Sequence, residues 1–246
     1  MMNIKVNALT WYFLFIAFIC GYINAGLIIF LIVILHELGH VIIIKILKYE
    51  IKEINIYPFG GIIKLDKDIN TPLKSELLIA IAGITMQLIL FFIMPYFLNH
   101  FHYNLFFKYN ITIILFNLIP IEPLDGAKIL NVLFNKFMPF KKSLYCSNIF
   151  SLLFILIYVF MNYWYSLNNY LIIVLFIYKT IDKIKNTKYI YNRFLLERYL
   201  NNYKFKYLST RRGNLDILKI DTYQYFIEGK NIISERKKLK KLFDKP

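Results

Sequence analysis

A long apolar stretch that contains two histidines and a glutamate constrains this chain more than any other feature. Residues 25–35 are mostly apolar, the motif His-Glu-x-x-His follows at once as His36, Glu37 and His40, and residues 41–44 are apolar again. A helix turns about 100° per residue, so the two histidines lie one turn apart on the same face. Imidazoles at that spacing can bind one metal ion, and the adjacent glutamate can accept a proton from water.

The apolar setting favours a functional motif over a chance match. A single histidine inside a membrane helix is more often a packed residue than a ligand, and His-Glu-x-x-His is a short motif. Placing a charged group inside an apolar helix, however, costs about 2.5–3.5 kcal/mol on insertion scales. We therefore interpret His36, Glu37 and His40 as part of a zinc site.

The distribution of apolar residues predicts a membrane protein. Hydrophobic residues make up 58% of the 246 residues, the mean hydropathy is +0.50, and the apolar residues occur in long blocks. Blocks of this kind are typical of membrane spans. The predicted fold class is an all-α membrane protein with about six transmembrane helices, at residues 9–20, 26–47, 76–98, 105–119, 149–165 and 170–181.

One segment between the second and third spans has a different pattern. Alternating apolar residues at 54–56 and 62–65 flank Gly60 and Gly61. Alternation of this kind around a glycine pair predicts a small β-hairpin, which we expect to be associated with the membrane.

Charge predicts the orientation of the chain. The three connections 21–25, 99–108 and 166–169 hold a single lysine and no arginine, whereas the segments on the opposite side are rich in lysine. By the positive-inside rule, those lysine-rich segments and both termini are cytoplasmic. The sequence thus predicts an integral, multi-pass transmembrane domain over residues 1–182 and a basic cytoplasmic tail over residues 183–246.

The basic tail restricts the classes of partner. Residues 179–246 carry 18 basic and seven acidic residues. A basic segment next to a membrane is typical of attraction to anionic lipid. No recognition motif accompanies the charge, so nucleic acid is not an expected partner.

A catalytic zinc site commonly uses three protein ligands, and Asp125 is the best candidate for the third. Pro120 and Pro123 prevent a regular helix before it, and Gly126 lets the backbone bend after it. The alternative interpretation is that Asp125 caps a helix starting at Gly126. Taken alone, the two interpretations are equally good, and the histidine pair favours the ligand. Glu122 is a rival ligand, but its position between two prolines is more typical of a loop.

Two further features have simpler explanations. His100 and His102 are spaced like a metal-binding pair, but they fall in a predicted exterior loop and are interpreted as polar loop residues. Gly39 is unfavourable in a helix by about 1 kcal/mol relative to alanine. We expect it to allow close contact with a neighbouring helix.

Together these motifs resemble the site-2 protease family of intramembrane zinc metalloproteases. The histidine motif in a membrane helix is followed by Asn117, Pro120 and then Leu-Asp-Gly around Asp125, which matches the second motif of that family. Three further features resemble its sporulation branch: the Pro-Phe-Gly-Gly segment at 58–61, the six-span layout and the segment 193–199. The best-known member of that branch removes the pro-sequence of a late sigma factor.

The resemblance implies a set of roles. His36, His40 and Asp125 would be the ligands of one Zn²⁺ ion, and Glu37 would be the catalytic base. The expected partners are a membrane-associated protein substrate such as a pro-sigma factor, membrane inhibitor or regulator proteins, and anionic lipid. The residues implied in substrate binding are Asn117, Pro120, Phe59, Gly60 and Gly61.

The chain also departs from the family pattern. Gly83 is followed by Ile84, where many members carry Gly-Pro. The sporulation branch often ends in a nucleotide-sensing domain of the cystathionine-synthase type. Residues 203–246 are short for one such module, so we interpret them as a degenerate or truncated one.

Two other functions are compatible with the zinc site. A membrane zinc transporter would also place histidine and aspartate in spans, but it would usually show repeated halves, and no internal repeat is found here. A catalytically silent membrane scaffold would keep the fold and lose Glu37, which is present.

Overall fold

The chain is mostly helical and carries two small β-sheets. It divides into two compact units, Met1–Lys67 with Leu78–Leu118 and Asp68–Leu77 with Ile119–Pro246. The structure, a computed structural model, describes residues 3–57, 60–161, 167–205, 207–229 and 231–244.

The helices of the first unit pack around a small apolar core. Ile28, Ile32, Leu90 and Phe106 are all less than 7% exposed and form the centre of that core. The helices are α1 (Ala8–Ile19), α2 (Ile23–Ile46), the larger part of α3 (Leu73–Ile93) and α4 (His100–Asn117).

The histidine motif lies on α2, as the sequence predicts. This helix is 24 residues long and almost entirely aliphatic, so it has one continuous apolar surface. It ends in a Schellman motif: Lys48 adopts a left-handed conformation with φ 60°, and the Tyr49 N–H donates to the Ile44 carbonyl at 3.1 Å. The reversal directs the chain from the helix into the first sheet.

The first sheet has three strands, two of which lie in the segment for which the sequence predicts a hairpin; the hairpin itself stays a prediction. Strand β2 (Glu50–Tyr57) pairs antiparallel with β3 (Gly60–Asp66). Strand β1 (Asn3–Val6) pairs parallel with β2, so the order is β1-β2-β3 and β3 lies at an edge. Pro58 and Phe59, which connect β2 and β3, lie outside the described residues. The association of this sheet with a membrane stays a prediction.

The second unit contains the remaining helices and a second sheet. Its core joins helices α6 and α7 to the C-terminal segment through buried apolar residues that include Phe140, Phe194, Leu218 and Phe226. The elements are α5 (Asp125–Phe137), α6 (Phe140–Met161), α7 (Leu167–Leu200), β4 (Tyr207–Arg211), β5 (Thr222–Glu228), β6 (Asn231–Ser234) and α8 (Glu235–Phe243).

This second sheet corrects the all-α prediction. In the segment interpreted as a basic tail, β4 pairs parallel with β5, and β5 pairs antiparallel with β6. Helix α8 follows, with Ser234 at its N-cap and Leu239 buried in the core. The segment is therefore folded around Leu218, Phe226 and Leu239, and its basic residues are largely exposed.

Among the residues that the structure describes, three helices are long and apolar enough to cross a membrane. They are Ile23–Ile46, Leu73–Tyr96 and Phe140–Met161, and Thr10–Ile19 is a shorter apolar helix. The first two correspond to the predicted second and third spans, and the last to the predicted fifth span. The predicted exterior loop at 99–108 is instead largely helical, because Asn99 caps α4 by accepting a hydrogen bond from the His102 N–H.

A buried ion pair joins the end of α7 to the C-terminal segment. The side chains of Arg198 and Glu235 are 1% and 2% exposed, and their Nη1 and Oε1 atoms lie 2.8 Å apart. Burial lowers the pKa of the Arg198 guanidinium, and the Glu235 carboxylate opposes that shift. The other carboxylate oxygen accepts from the Gln224 backbone N–H at 3.0 Å. Further acceptors for Arg198 are Asn70 Oδ1 and the carbonyl oxygens of Lys219, Ile220 and Thr222.

Arg198→Met is expected to lower the free energy of unfolding by about 3–5 kcal/mol, because Glu235 then stays buried without a counter-charge. Denaturant titration of the full chain in detergent measures the change. Arg193→Met is the matched control: its ion pair with Glu197 has an arginine side chain that is 46% exposed. Its loss should change the free energy by at most about 1 kcal/mol. Equal effects of the two substitutions would contradict this assignment.

Candidate metal centre

The two histidines of α2 face each other inside the first unit. His36 and His40 are each 4% exposed, and their Nε2 atoms lie 3.1 Å apart. The rings meet nearly at right angles, with 79° between their planes. Both Nε2 atoms therefore point at the same small volume, as expected for two ligands of one ion.

The second nitrogen of each ring has an oxygen partner on α3. His40 Nδ1 lies 2.7 Å from the backbone carbonyl of Ile79, and His36 Nδ1 lies 2.9 Å from Gln87 Oε1. A carbonyl oxygen only accepts, so His40 Nδ1 carries the hydrogen and its Nε2 carries the lone pair. This is the tautomer that a metal ligand needs.

Gly83 of α3 provides the space in front of these two nitrogens. A Cβ at this position would lie 2.5 Å from His36 Nε2 and 2.6 Å from His40 Nε2. The missing side chain thus leaves room of atomic size beside both lone-pair positions. In the sequence, Gly83 differs from the family pattern only in the residue after it, but a lone glycine inside an apolar helix is itself a signal of close approach.

Close packing of α2 on α3 explains Gly39. A Cβ there would lie 2.6 Å from the Ala82 carbonyl oxygen and 2.8 Å from Met86 Cβ. The expectation that Gly39 permits close helix contact is confirmed. The contact brings the Ile79 carbonyl, Gly83 and Gln87 to the histidines, because these residues recur every four positions on one face of α3.

Asp125 completes a group of three candidate ligands. One ligand atom each from His36, His40 and Asp125 lies within 4.8 Å of the others, and all three residues are buried. Helix α5 begins at Asp125 with Leu124 at the N-cap position, so Asp125 does not occupy the cap. Two imidazoles and one carboxylate form a donor set that suits catalytic zinc.

The surroundings of the two carboxylates in this segment differ. Lys128 Nζ donates to Asp125 Oδ1 at 2.8 Å from one turn further along α5. The rival Glu122 is paired with Lys183, which also donates to Ser147 Oγ at 3.1 Å. Within the described residues, Glu122 is not a member of the metal-binding group.

Glu37 is held by the backbone of β3. The Gly61 N–H donates to Glu37 Oε1 at 2.6 Å. A Cβ on Gly61 would lie 2.5 Å from Glu37 Cδ, so only glycine allows this approach. Gly60 begins the strand with φ 150°, a conformation that glycine adopts readily. Sequence reasoning assigned both glycines to substrate binding and missed the contact of Gly61 with the glutamate.

The other predicted site residues lie at ends and turns. Asn117 is the last residue of α4 and is half-buried. The Pro120 carbonyl accepts a hydrogen bond from Ser151 Oγ at 3.3 Å. Phe59 lies outside the described residues. His100 and His102 are in the first turn of α4, where they contact Asn104 and Asn99.

Sequence comparison gives an independent identification. Residues 24–103, which include almost all of α2 and the whole of α3, match peptidase family M50. The chain is 33% identical over 206 residues to Stage IV sporulation protein FB of Bacillus subtilis. This alignment covers 80% of the chain and 72% of that protein. It is 32% identical over 150 residues to zinc metalloprotease MJ0392 of Methanocaldococcus jannaschii, covering 58% of this chain and 40% of that protein.

A solved structure has the same fold. The site-2 protease from Methanocaldococcus jannaschii superposes with a TM-score of 0.50 and 24% sequence identity, covering 82% of this chain and 94% of that chain. With the family match and the donor set of the metal centre, the expectations of a membrane protein, a protease and a zinc cofactor are confirmed. The chain belongs to peptidase family M50, the site-2 protease family of zinc metalloproteases.

Proposed function

We propose that this protease hydrolyses a peptide bond in or near the membrane and removes the pro-sequence of a sporulation sigma factor. The observation that carries the proposal is the group His36, His40 and Asp125, of which both histidines lie on a helix long and apolar enough to span a bilayer. A metal site on such a helix would act on substrate segments that enter the membrane.

In the proposed mechanism, His36, His40 and Asp125 hold zinc and Glu37 is the catalytic base. Bound zinc supplies Lewis acidity, which polarises the scissile carbonyl and lowers the pKa of water. The Glu37 carboxylate accepts a proton from the attacking water and passes it to the leaving amine. The Gly61 N–H donates to one oxygen of that carboxylate and so restricts the rotation of the Glu37 side chain.

The substrate must present an extended segment, because a helix engages its carbonyl groups in hydrogen bonds. Strand β3 supports a route for binding it, since β3 is an edge strand and its first residues contact Glu37. We propose that the segment adds to this edge as a further strand. The residues proposed to contact it are Asn117, Pro120, Phe59, Gly60 and Gly61.

The proposed topology has six spans with both termini in the cytoplasm. Besides the three long apolar helices, α1, α4 and α7 carry outward apolar side chains. Trp11, Leu115 and Val174 are each more than 60% exposed, which is unfavourable in water and suits lipid contact. On this proposal, residues 1–182 are the transmembrane protease domain and residues 183–246 the basic cytoplasmic region, a degenerate or truncated module of the cystathionine-synthase type.

The proposed partners follow from the relative and from charge. The similarity to Stage IV sporulation protein FB supports a role in sporulation, with a membrane-associated pro-sigma factor as substrate and membrane proteins as inhibitors or regulators. The net charge of +15 supports contact of the cytoplasmic region with anionic lipid, and no nucleic acid is proposed.

Substitution of Asp125 tests the proposal. Asp125→Ala is expected to remove most of the zinc and the cleavage of a membrane-tethered pro-sigma substrate by the purified full chain. Asp125→Asn should weaken zinc binding less, because an amide oxygen is a poorer donor than a carboxylate. Zinc content and cleavage are measured with and without a chelator, followed by zinc addition.

Glu122→Gln is the matched control, since it neutralises a carboxylate of the same segment outside the metal-binding group. It should retain zinc and cleavage. Full zinc content in Asp125→Ala, or cleavage that resists the chelator, would overturn the proposed function.

A further inference from the structure

Two fully buried amides lie next to the metal centre. Gln87 of α3 and Asn110 of α4 are both 0% exposed, and Gln87 Oε1 lies 2.9 Å from His36 Nδ1. Burying an amide is unfavourable unless its hydrogen bonds are made, so each of these two amides is expected to have hydrogen-bond partners.

The hydrogen bonds of the pair fix the direction of each amide. Asn110 Nδ2 donates to the backbone carbonyl of Gln87 at 3.0 Å, and a carbonyl can only accept. Asn110 Oδ1 therefore faces the Gln87 side chain and accepts from Gln87 Nε2 at 3.0 Å. Gln87 Oε1 then faces His36, whose Nδ1 must be the donor.

This chain of bonds determines the tautomer of His36. With the hydrogen on Nδ1, the lone pair is on Nε2, which faces His40 Nε2 and the space left by Gly83. Reversal of either amide would present N–H to Nδ1 and move the ring hydrogen to Nε2, where it would block a metal.

We infer that Gln87 and Asn110 are positioning residues that hold His36 in the metal-binding tautomer and orientation. The inference rests on the proposed role of His36 as a ligand. His40 receives the same support from the Ile79 backbone carbonyl, which no side-chain substitution removes. Substitution of Gln87 or Asn110 therefore acts on His36 and spares His40.

The test compares two substitutions of Gln87 that keep its length. Gln87→Met fills the space but offers no good acceptor, and it should lower zinc affinity by about 10–100-fold. Gln87→Glu keeps an oxygen for His36 Nδ1, and its zinc affinity should stay within about threefold of the parent. Zinc affinity is measured by chelator competition on the full chain in detergent, and the absorption spectrum of the Co²⁺-loaded protein reports the ligand geometry.

A packing role predicts the opposite order. A buried methionine is better tolerated than a buried glutamate if Gln87 only fills space, so higher zinc affinity in Gln87→Met than in Gln87→Glu would overturn the inference. Asn110→Leu gives a second test: it frees the Gln87 amide to reverse, and zinc affinity should fall here too. An unchanged zinc affinity in Asn110→Leu would contradict the proposed chain of hydrogen bonds from Asn110 through Gln87 to His36.

Controls separate this inference from the proposed function. Asn148→Leu removes another buried amide, which donates to Thr187 Oγ1 at 2.9 Å in the second unit, and it should leave zinc affinity unchanged. His36→Ala should abolish high-affinity zinc binding. Retained binding in His36→Ala would refute the ligand role itself. Loss in His36→Ala with parental affinity in Gln87→Met would refute only the positioning role. Thermal unfolding of the metal-free variants verifies that each is folded.

Discussion

Gly83→Ala is expected to reduce the zinc content of the purified protein to background and to abolish cleavage. The new Cβ would lie 2.4 Å from His36 Cε1 and 2.5 Å from His36 Nε2, well inside normal contact distances. The rings cannot retreat without breaking their bonds to the Ile79 carbonyl and to Gln87. A single methyl group thus occupies the space in which the ion would bind. Metal analysis of the purified variant measures the effect.

Gly26→Ala is the matched control for this substitution. It introduces the same methyl group into α2, where the Cβ would lie 3.1 Å from Ala17 Cβ and far from the histidines along the helix. We expect this variant to retain zinc. A Gly83→Ala protein with a full complement of zinc would show that the ion binds elsewhere.

Glu37→Gln is expected to lower the cleavage rate by about 10²–10⁴-fold while zinc content is retained, because the substitution removes the base and spares the proposed ligands. The amide oxygen can still accept from the Gly61 N–H, so the local geometry should persist. Single-turnover cleavage and metal analysis on the same preparation measure both quantities.

Glu76→Gln provides the comparison for this loss of charge. Its carboxylate accepts from Thr71 Oγ1 at 2.6 Å in the first turn of α3, which lies in the second unit. Cleavage by this variant should stay near the parental rate. If Glu37→Gln lost as much zinc as His36→Ala, the glutamate would be structural and its assigned role would be wrong.

The sequence predicts those parts of the centre that depend on local spacing. Residues four apart on a helix share a face whatever surrounds the helix, so the placement of His36 and His40 follows from the motif. The two prolines near Asp125 mark an irregular segment, because proline interrupts a helix whatever surrounds it. The ligand role of Asp125 stays a prediction, although the structure places it in the metal-binding group.

What the sequence does not predict depends on distant pairing. Gln87 and Asn110 are single polar residues in apolar stretches, and nothing local indicates that they pair with each other or with His36. Strand β1 joins β2 across more than 40 residues, and the ion pair of Arg198 with Glu235 joins segments 37 residues apart. Such contacts are determined by the tertiary fold and not by periodicity.

Helix α7 sets a length scale for the proposed cytoplasmic region. Its 34 residues measure about 51 Å, whereas the hydrocarbon core of a bilayer is about 30 Å thick. On the proposed topology, with residues 170–181 in the membrane, the stretch from Asp182 to Leu200 reaches a height of at most about 27 Å above it. The C-terminal segment packs on this stretch through Arg198 and on the start of α6 through Phe140, so on the proposed topology it lies within that height of the membrane. About eight residues of extended polypeptide span that height. On this proposal, a protein bound to the C-terminal segment needs a tether of at most that length to feed its chain into the bilayer.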